Sequence, residues 1–493
     1  MTHGTTAAGG RPPHSTESTR WYRTAPREPG WRWRWRNPAL ATLLALLPWT
    51  AAAHAVSVTT GTGIPASSGR AIDVLHYNVR LDPDLADKTL RGRAVITFAV
   101  GTPGVKAVEF DAGELHIDAV RANGATLEFE KVGKHVRVRL PEPTRAGTRH
   151  QIEIAYHGAP RFGLEFHPER GELYTIFSTS QWLVCIDAPE ERATLELAVA
   201  LPAGLNAAGN GALVSKTPLG DGRELHRWQQ DQPVPSFIYG FAAGRYAEAF
   251  EYSDGVALRY LSADLQPAQL RRIFTDTGDM LRFFGERAGI PYRGRYTQTL
   301  VAQTIGQELA GLALMSEAHG RHVLENPSAQ ALIAHEAAHQ WWGNMVTCRS
   351  WNHFWLNEGF ANFMAAAYLQ HRFGDAHYRT QVEGWKRRLD RLRADGTDHP
   401  LVYQSWDSPS ADDRAVVYQK GAYVLHLLRE ELGEREFWRG VRTYTRTHYG
   451  QSVTTADFRR AMERASGRDL STFFSAWVDA SAFEPAAVAT PTR

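Results

Sequence analysis

Apolar and polar residues alternate in short runs between residues 72 and 239. Every second side chain in such a run is apolar, which places the apolar side chains on one face of a β-strand. Turn sequences such as Asn123-Gly124 separate the runs. The pattern predicts an antiparallel β-domain, which we assign to residues 56–250. The clearest runs are Tyr77, Val79 and Leu81; Val136, Val138 and Leu140; Ile152, Ile154 and Tyr156; and Leu195, Leu197, Val199 and Leu201.

After Tyr246 the spacing of apolar residues lengthens to that of helices. One apolar stripe runs from Leu270 to Phe284 and ends near Gly289, a residue type that commonly follows a helix. We therefore predict an α+β multidomain protein whose second domain is mainly helical. That domain is assigned to residues 251–485 and is followed by a short tail, residues 486–493. Its other predicted helices begin at residue 355 or occupy residues 385–393, 421–432 and 456–466.

The composition is that of a soluble globular protein, with 43% hydrophobic and 22% charged residues. The formal net charge of +2 is misleading, because residues 1–55 contain seven arginines and only two glutamates. Without them the chain carries a net charge of −3, from 48 basic and 51 acidic residues. We therefore expect no nucleic-acid partner.

Residues 1–55 have the order of a disordered leader followed by a signal peptide. A segment rich in Gly, Pro, Ser, Thr and Arg precedes three closely spaced arginines, an apolar run over residues 38–53 and the small-residue sequence Ala53-His54-Ala55. This order is typical of a secretory signal and its cleavage site. We expect export to the periplasm or secretion. Membrane attachment is expected only if the apolar segment is left uncleaved.

The candidate chemistry lies in the sequence His335-Glu336-x-x-His339, followed by Glu358. On a helix, residues four positions apart share a face, so the two histidines can direct ring nitrogens at one point. Glu358 opens a second helical pattern and can supply a third ligand. Two His, one Glu and an open position are typical of a catalytic zinc site that holds one ion. Glu336 points elsewhere around the helix and suits the role of general base.

The sequence before the histidines predicts where their helix begins. Asn326-Pro327 has the residue types of an N-cap followed by proline at the first helical position. Both histidines would then lie well inside the helix.

Residues 335–347, HEAAHQWWGNMVT, and residues 351–363, WNHFWLNEGFANF, resemble the aminopeptidase N family of zinc metallopeptidases, the gluzincins. With gaps, the resemblance extends from about Leu75 to Phe483. It implies a thermolysin-like zinc peptidase domain after the β-domain. It also implies that the protein removes residues from the amino end of peptide substrates through a zinc-activated water.

Two further residues take their roles from this resemblance. Val417-Tyr418-Gln419-Lys420-Gly421-Ala422 is similar to the family's Tyr-x-Lys-Gly-Ala, whose tyrosine stabilises the tetrahedral intermediate. Glu308 occupies the place of the glutamate in the family signature Gly-x-Met-Glu-Asn, which binds the substrate's free amine. Around Glu308 this chain reads Ile305-Gly-Gln before it and Leu309 after it, so the setting of the carboxylate differs.

This chain departs from the family pattern in two further ways, and two alternative functions remain open. The family often has a glutamine after Tyr-Thr, whereas this chain has Ile176, and we do not transfer that role to Gln181. We expect the helical domain that encloses the site in larger family members to be missing and the cleft to be more open. The alternatives to an aminopeptidase are a zinc endopeptidase or hydrolase of blocked substrates, and a catalytically idle peptide-binding scaffold.

Overall fold

The computed structural model describes residues 71–303, 305–403, 406 and 409–480. The predicted leader and signal peptide, residues 1–55, and the tail, residues 486–493, lie outside the described residues. In the described part, a β-domain is followed by a mainly helical domain, which confirms the predicted fold class. No helix in this part is long and apolar enough to cross a membrane.

The first domain consists of β-sheets, and several of its strands bury about every second side chain. Its strands are β1 (Ile72–Asp84), β2 (Thr89–Val100), β3 (Ala107–Asp111), β4 (His116–Ala122), β5 (Ala125–Thr126), β6 (Phe129–Val132), β7 (His135–Arg139), β8 (Arg149–Gly158), β9 (Leu164–His167), β10 (Glu172–Thr175), β11 (Arg192–Pro202), β12 (Asn206–Gly209), β13 (Ala212–Pro218), β14 (Arg223–Pro235) and β15 (Phe241–Gly244). The largest sheet has the order β13-β14-β11-β1-β2-β8-β4-β5, and smaller sheets have the orders β12-β15-β10-β9 and β3-β7-β6. The pairing is antiparallel except between β1 and β11, where His76 lies beside Thr194 in a parallel pair. Parallel pairing is possible there because a long stretch of chain separates the two strands.

The second domain has a five-stranded sheet against which its helices pack. The strands of this sheet are β16 (Ala247–Ser253), β17 (Val256–Ser262), β18 (Gly294–Val301), β19 (Gly306–Gln307) and β20 (Leu312–Ser316), and a separate two-stranded sheet consists of β21 (Val346–Cys348) and β22 (Gln451–Val453). The sheet order is β16-β17-β18-β20-β19, so β16 and β19 are the edge strands. Because β16 begins at Ala247, this sheet starts a few residues before the division that we placed at residue 250.

The helices of the second domain enclose one large apolar core. They are α1 (Pro267–Ile273), α2 (Thr277–Ala288), α3 (Glu317–Glu325), α4 (Ala331–Ala338), α5 (Trp355–Phe373), α6 (Asp375–Ala394), α7 (Ala411–Ala415), α8 (Gly421–Leu432), α9 (Glu434–His448), α10 (Thr455–Ser466) and α11 (Ser471–Trp477). The predicted stripe over residues 270–284 is two helices rather than one, because α1 ends at Ile273 and α2 starts at Thr277. Gly289 ends α2 in a left-handed conformation, as the sequence predicted.

A partly buried arginine connects the two domains. Arg192, at the start of β11, donates hydrogen bonds to the carbonyl oxygens of Asn344 and Met345 and to Oγ1 of Thr347. These acceptors belong to the chain that leaves the helix of the two candidate histidines. The β-domain therefore anchors the loop that follows that helix.

Candidate active site

Both candidate histidines lie at the carboxyl end of α4. His335 is in its last turn, and His339 is the C-cap residue, whose right-handed helical backbone preserves the spacing of four residues. The prediction that Asn326-Pro327 begins this helix is wrong. Asn326 instead ends α3, where its backbone N–H donates to the carbonyl of His322, and the buried Gln330 is the residue before α4.

His335, His339 and Glu358 have the spacing of three ligands around one small ion. Nε2 of His335 lies 2.9 Å from Nε2 of His339, and Glu358 Oε2 lies 3.3 and 3.4 Å from these two nitrogens. Ligands about 2.0–2.1 Å from a tetrahedral zinc ion lie roughly 3.4 Å apart. In the described part of the chain, these three residues form the one cluster of at least three His, Cys, Asp or Glu side chains whose ligand atoms lie close enough together to hold a metal ion.

The hydrogen bonds of the two rings show that a cation belongs between them. His335 Nδ1 lies 3.0 Å from Oδ1 of Asn362, and His339 Nδ1 lies 2.9 Å from the carbonyl oxygen of Trp342. Because both partners are acceptors, each Nδ1 carries the proton and each Nε2 presents a lone pair. Two lone pairs and a buried carboxylate oxygen, Glu358 Oε2, thus face one point, which fits a zinc ion.

The electrostatics of the site indicate the same requirement for positive charge. Burial opposes protonation of His339, yet the carboxylates of Glu358, Glu308 and Glu336 outweigh it and raise its pKa to about 10. Burial likewise opposes ionisation of Glu358, but the neighbouring histidines lower its pKa to about 2. A bound zinc ion would supply this positive charge while the histidines stay neutral.

Glu336 lies beside the three candidate ligands without joining them. It is fully buried, and burial raises its pKa well above the ordinary value, with Glu308 and Glu358 adding repulsion. Its Oε1 lies against Gly306, where an added Cβ would come within 2.2 Å of that oxygen. The absence of a side chain at Gly306 therefore gives the carboxylate its place.

Tyr418 lies over the His335 ring. The ring centroids are 6.0 Å apart, and the planes are nearly parallel at 12°. Tyr418 belongs to a π-helical turn, Val416–Lys420, that precedes α8. This turn approaches the site because α8 crosses α5 at two glycines: a Cβ on Gly359 would meet Cα of Gly421 at 2.9 Å. Such wide turns often occur where a helix directs a side chain into a functional site.

Glu308 follows β19, at the edge of the sheet. It is 8% exposed, and burial raises the pKa of its carboxyl group, with His339 opposing and Glu358 adding to the shift. Its backbone carbonyl accepts a hydrogen bond from Nδ2 of Asn344, in the loop after α4. The structure thus brings all six predicted site residues into one neighbourhood, although their roles stay predictions.

Three polar residues of this neighbourhood had no role predicted from the sequence. Asn362 orients His335, and its position four residues after Glu358 on α5 was the available signal. Asn344 holds the backbone of Glu308, and Gln307 bonds the Glu308 carboxylate. The sequence carried no signal for these two contacts, because they join segments that only the fold brings together. Gln181, to which we transferred no role, is buried against Gly113 and Gly163 in the β-domain.

Comparison with known families and proteins matches both domains. A model described as the peptidase M1 N-terminal domain matches residues 74–238, and one described as the peptidase family M1 domain matches residues 309–477. The aminopeptidase N of Lactococcus lactis subsp. lactis is 25% identical over 82% of this chain, and that of Lactobacillus helveticus is 26% identical over 82%. Each match covers 50% of the relative, so the chain spans about half the length of these proteins.

Solved structures of an M1 zinc metallopeptidase from Deinococcus radiodurans are similar over nearly their whole length. One matches 84% of this chain and 95% of its own, with a TM-score of 0.74 and 25% identity. A variant of that enzyme bound to a Tyr-Ser-Ala substrate gives a TM-score of 0.73 at 25% identity and covers 84% of this chain and 96% of its own.

Proposed function

The chain belongs to peptidase family M1, and from that membership and the geometry of the site we propose that it is a zinc-dependent aminopeptidase acting on peptides. His335, His339 and Glu358 would hold one zinc ion. When bound, the ion would lower the pKa of a water molecule and polarise the carbonyl of the peptide bond to be cleaved.

Glu336 would carry out the proton transfers, and Tyr418 would stabilise the negative charge that develops on the substrate. Glu336, held against Gly306, accepts the proton of the attacking water and returns it to the leaving amine. The phenol of Tyr418 donates a hydrogen bond to the oxyanion that forms on the substrate carbonyl.

One observation carries the choice of an aminopeptidase: a nearly buried carboxylate, Glu308, lies directly after the edge strand and close enough to the zinc ligands to interact electrostatically with His339 and Glu358. A protonated substrate amine at this position would pair with Glu308. A blocked amine has no charge and would leave the carboxylate without that partner. Selection for a free amino end follows from this difference.

An endopeptidase, or a hydrolase of blocked substrates, is the second candidate function. It is favoured by the changed sequence around Glu308, since Gln307 and Leu309 stand where the family signature has methionine and asparagine. An idle peptide-binding scaffold is the weaker alternative, since binding alone requires neither Glu336 nor Tyr418.

The deciding experiment compares zinc-dependent cleavage of unblocked aminoacyl p-nitroanilides and of their N-acetylated twins, with Glu336→Gln protein as the blank. We expect cleavage confined to the unblocked series. Equal cleavage of both series would refute the aminopeptidase in favour of the second candidate. Cleavage of neither, with zinc bound, would support the scaffold.

We also propose that the protein is exported to the periplasm or secreted, with a membrane anchor only if the leader is retained. The support is the order of positive, apolar and small residues within residues 1–55. Sequencing the amino terminus of the mature protein tests this proposal. A mature chain that begins near Val56 is expected, and one that retains residue 1 in the cytoplasm would refute it.

A further inference from the structure

Gln307 lies between two groups that shape the proposed binding site for the substrate amine. It is the last residue of β19 and is 1% exposed. Its Nε2 donates to Glu308 Oε2 at 3.0 Å, and its Oε1 accepts from the backbone N–H of Phe177 at 2.7 Å. The one side chain thus joins the edge strand to the segment that follows β10 in the β-domain.

The orientation of this amide group follows from its partners. A backbone N–H can only donate, so the atom that faces Phe177 must be the oxygen. The amide nitrogen then necessarily faces Glu308 and can only donate to it. This arrangement suits a carboxylate that accepts, which is the form that would bind a substrate ammonium group.

The contact between Gln307 and Glu308 also depends on the local backbone. Neighbouring residues within a strand point to opposite faces of a sheet, so their side chains do not ordinarily meet. They meet here because β19 ends at Gln307 and Glu308 lies outside the strand. Asn344 then holds the Glu308 backbone through the carbonyl oxygen, so both the main chain and the side chain of Glu308 are fixed.

The segment at the other end of the bridge has an uncommon backbone. Phe177 has φ +46°, in the left-handed region that bulky residues rarely adopt, and its ring is 52% exposed. Such a conformation persists only where neighbouring contacts impose it. The bond from Phe177 N–H to Gln307 is one such contact.

We propose that Gln307 is a positioning residue for recognition of the substrate's amino end. It holds the Glu308 carboxylate in one orientation and ties it to the Phe177 segment. The family signature has methionine at this position, which can neither donate to a carboxylate nor accept from the Phe177 N–H as an amide does. This chain therefore fixes its amine-binding carboxylate by a hydrogen bond that the signature residue does not provide. The inference rests on the proposed aminopeptidase activity.

The test measures selectivity, defined as kcat/KM for leucyl p-nitroanilide divided by kcat/KM for its N-acetylated twin. Gln307→Met keeps the length of the side chain and removes both hydrogen bonds. We expect selectivity to fall about 10-fold or more, mainly through a higher KM for the unblocked substrate, because an orienting bond to a charged group is lost. Cleavage of the acetylated twin should change little.

Two further variants separate positioning from folding. Gln298→Met is the matched control, because Gln298 is also a fully buried glutamine and lies on β18 of the same sheet. Its selectivity should equal that of the wild type. Gln307→Glu keeps an acceptor for Phe177 N–H but removes the donor to Glu308, so its selectivity should also fall.

The outcomes distinguish this inference from the proposed function. Wild-type selectivity near one would refute the aminopeptidase itself. High wild-type selectivity that persists in folded, zinc-loaded Gln307→Met or Gln307→Glu protein would overturn the positioning role alone. An equal loss of activity on both substrates would also overturn it, because such a loss indicates a general structural effect.

Discussion

Replacing Asn362 by leucine should weaken zinc binding while leaving the fold intact. Asn362 is half-buried on α5, and its Oδ1 accepts the Nδ1 proton of His335 at 3.0 Å. Leucine has nearly the same size but cannot accept this bond. The His335 ring then loses the contact that fixes its tautomer and presents Nε2 to the metal.

The expected loss follows from two estimates that agree. A buried N–H that loses its acceptor costs about 1–3 kcal/mol. Removal of an outer partner of a metal-binding histidine typically lowers metal affinity by about 10- to 100-fold, which corresponds to about 1.4–2.7 kcal/mol. We therefore expect the zinc dissociation constant of Asn362→Leu to rise by about 10- to 100-fold.

The assay is competition for zinc against a chromophoric chelator, together with the urea midpoint of the metal-free protein. Asn362→Asp is the matched control, because it keeps an acceptor of the same geometry and adds negative charge. It should bind zinc at least as tightly as the wild type. Unchanged zinc affinity in folded Asn362→Leu would refute the argument that the Nδ1 bond prepares His335 for the metal.

Tyr418, Lys420 and His319 allow separate tests of catalysis, stability and pH dependence. Tyr418→Phe keeps the ring that stacks on His335 but removes the proposed hydrogen-bond donor to the oxyanion. We expect kcat to fall about 10²- to 10³-fold with little change in KM or zinc content. A kcat within a factor of three of the wild type would contradict the role of the Tyr418 phenol. Lys420→Met should lower the free energy of unfolding in urea by about 1–3 kcal/mol, because the buried Asp398 carboxylate loses the ammonium group 2.8 Å away and keeps only Arg393, 3.8 Å away. Lys386→Met, in an exposed pair, is the control and should change little. Burial lowers the pKa of His319 to about 4, so between pH 6.5 and 4 the unfolded chain binds a proton that the folded protein does not. The free energy of unfolding should therefore decrease as the pH is lowered from 6.5 to 4, and it should decrease less in His319→Leu. An equal dependence of this free energy on pH in the two proteins would contradict the argument.

Much of the architecture was accessible from the sequence because it depends on periodicity. The alternation over residues 72–239 predicted the strands, and strand β7 shows it directly, with Val136 and Val138 buried between exposed residues. Gly289 marked the end of α2 because it takes up a left-handed backbone at low cost. The errors arose where local signals conflicted: Asn326-Pro327 resembles a helix start but closes α3, and one apolar stripe extends across the break between α1 and α2.

By itself, the sequence determined the candidate ligands. The spacing of His335 and His339 defines one face of a helix, and the resemblance of residues 335–363 to a known pattern pointed to Glu358. Both signals are local: one is a spacing along the chain, and the other is a contiguous sequence motif.

Only the tertiary structure decided how those ligands are held and which residues support them. Whether Tyr418 reaches His335 depends on the close crossing of α5 and α8, and the bond between Gln307 and Phe177 joins residues 130 positions apart. Hydrogen bonds of this kind act over about 3 Å and require specific directions, so they exist only after packing has positioned the backbones that carry them. Periodicity describes which face of an element is buried, but it contains no information about which polar atoms meet across two elements.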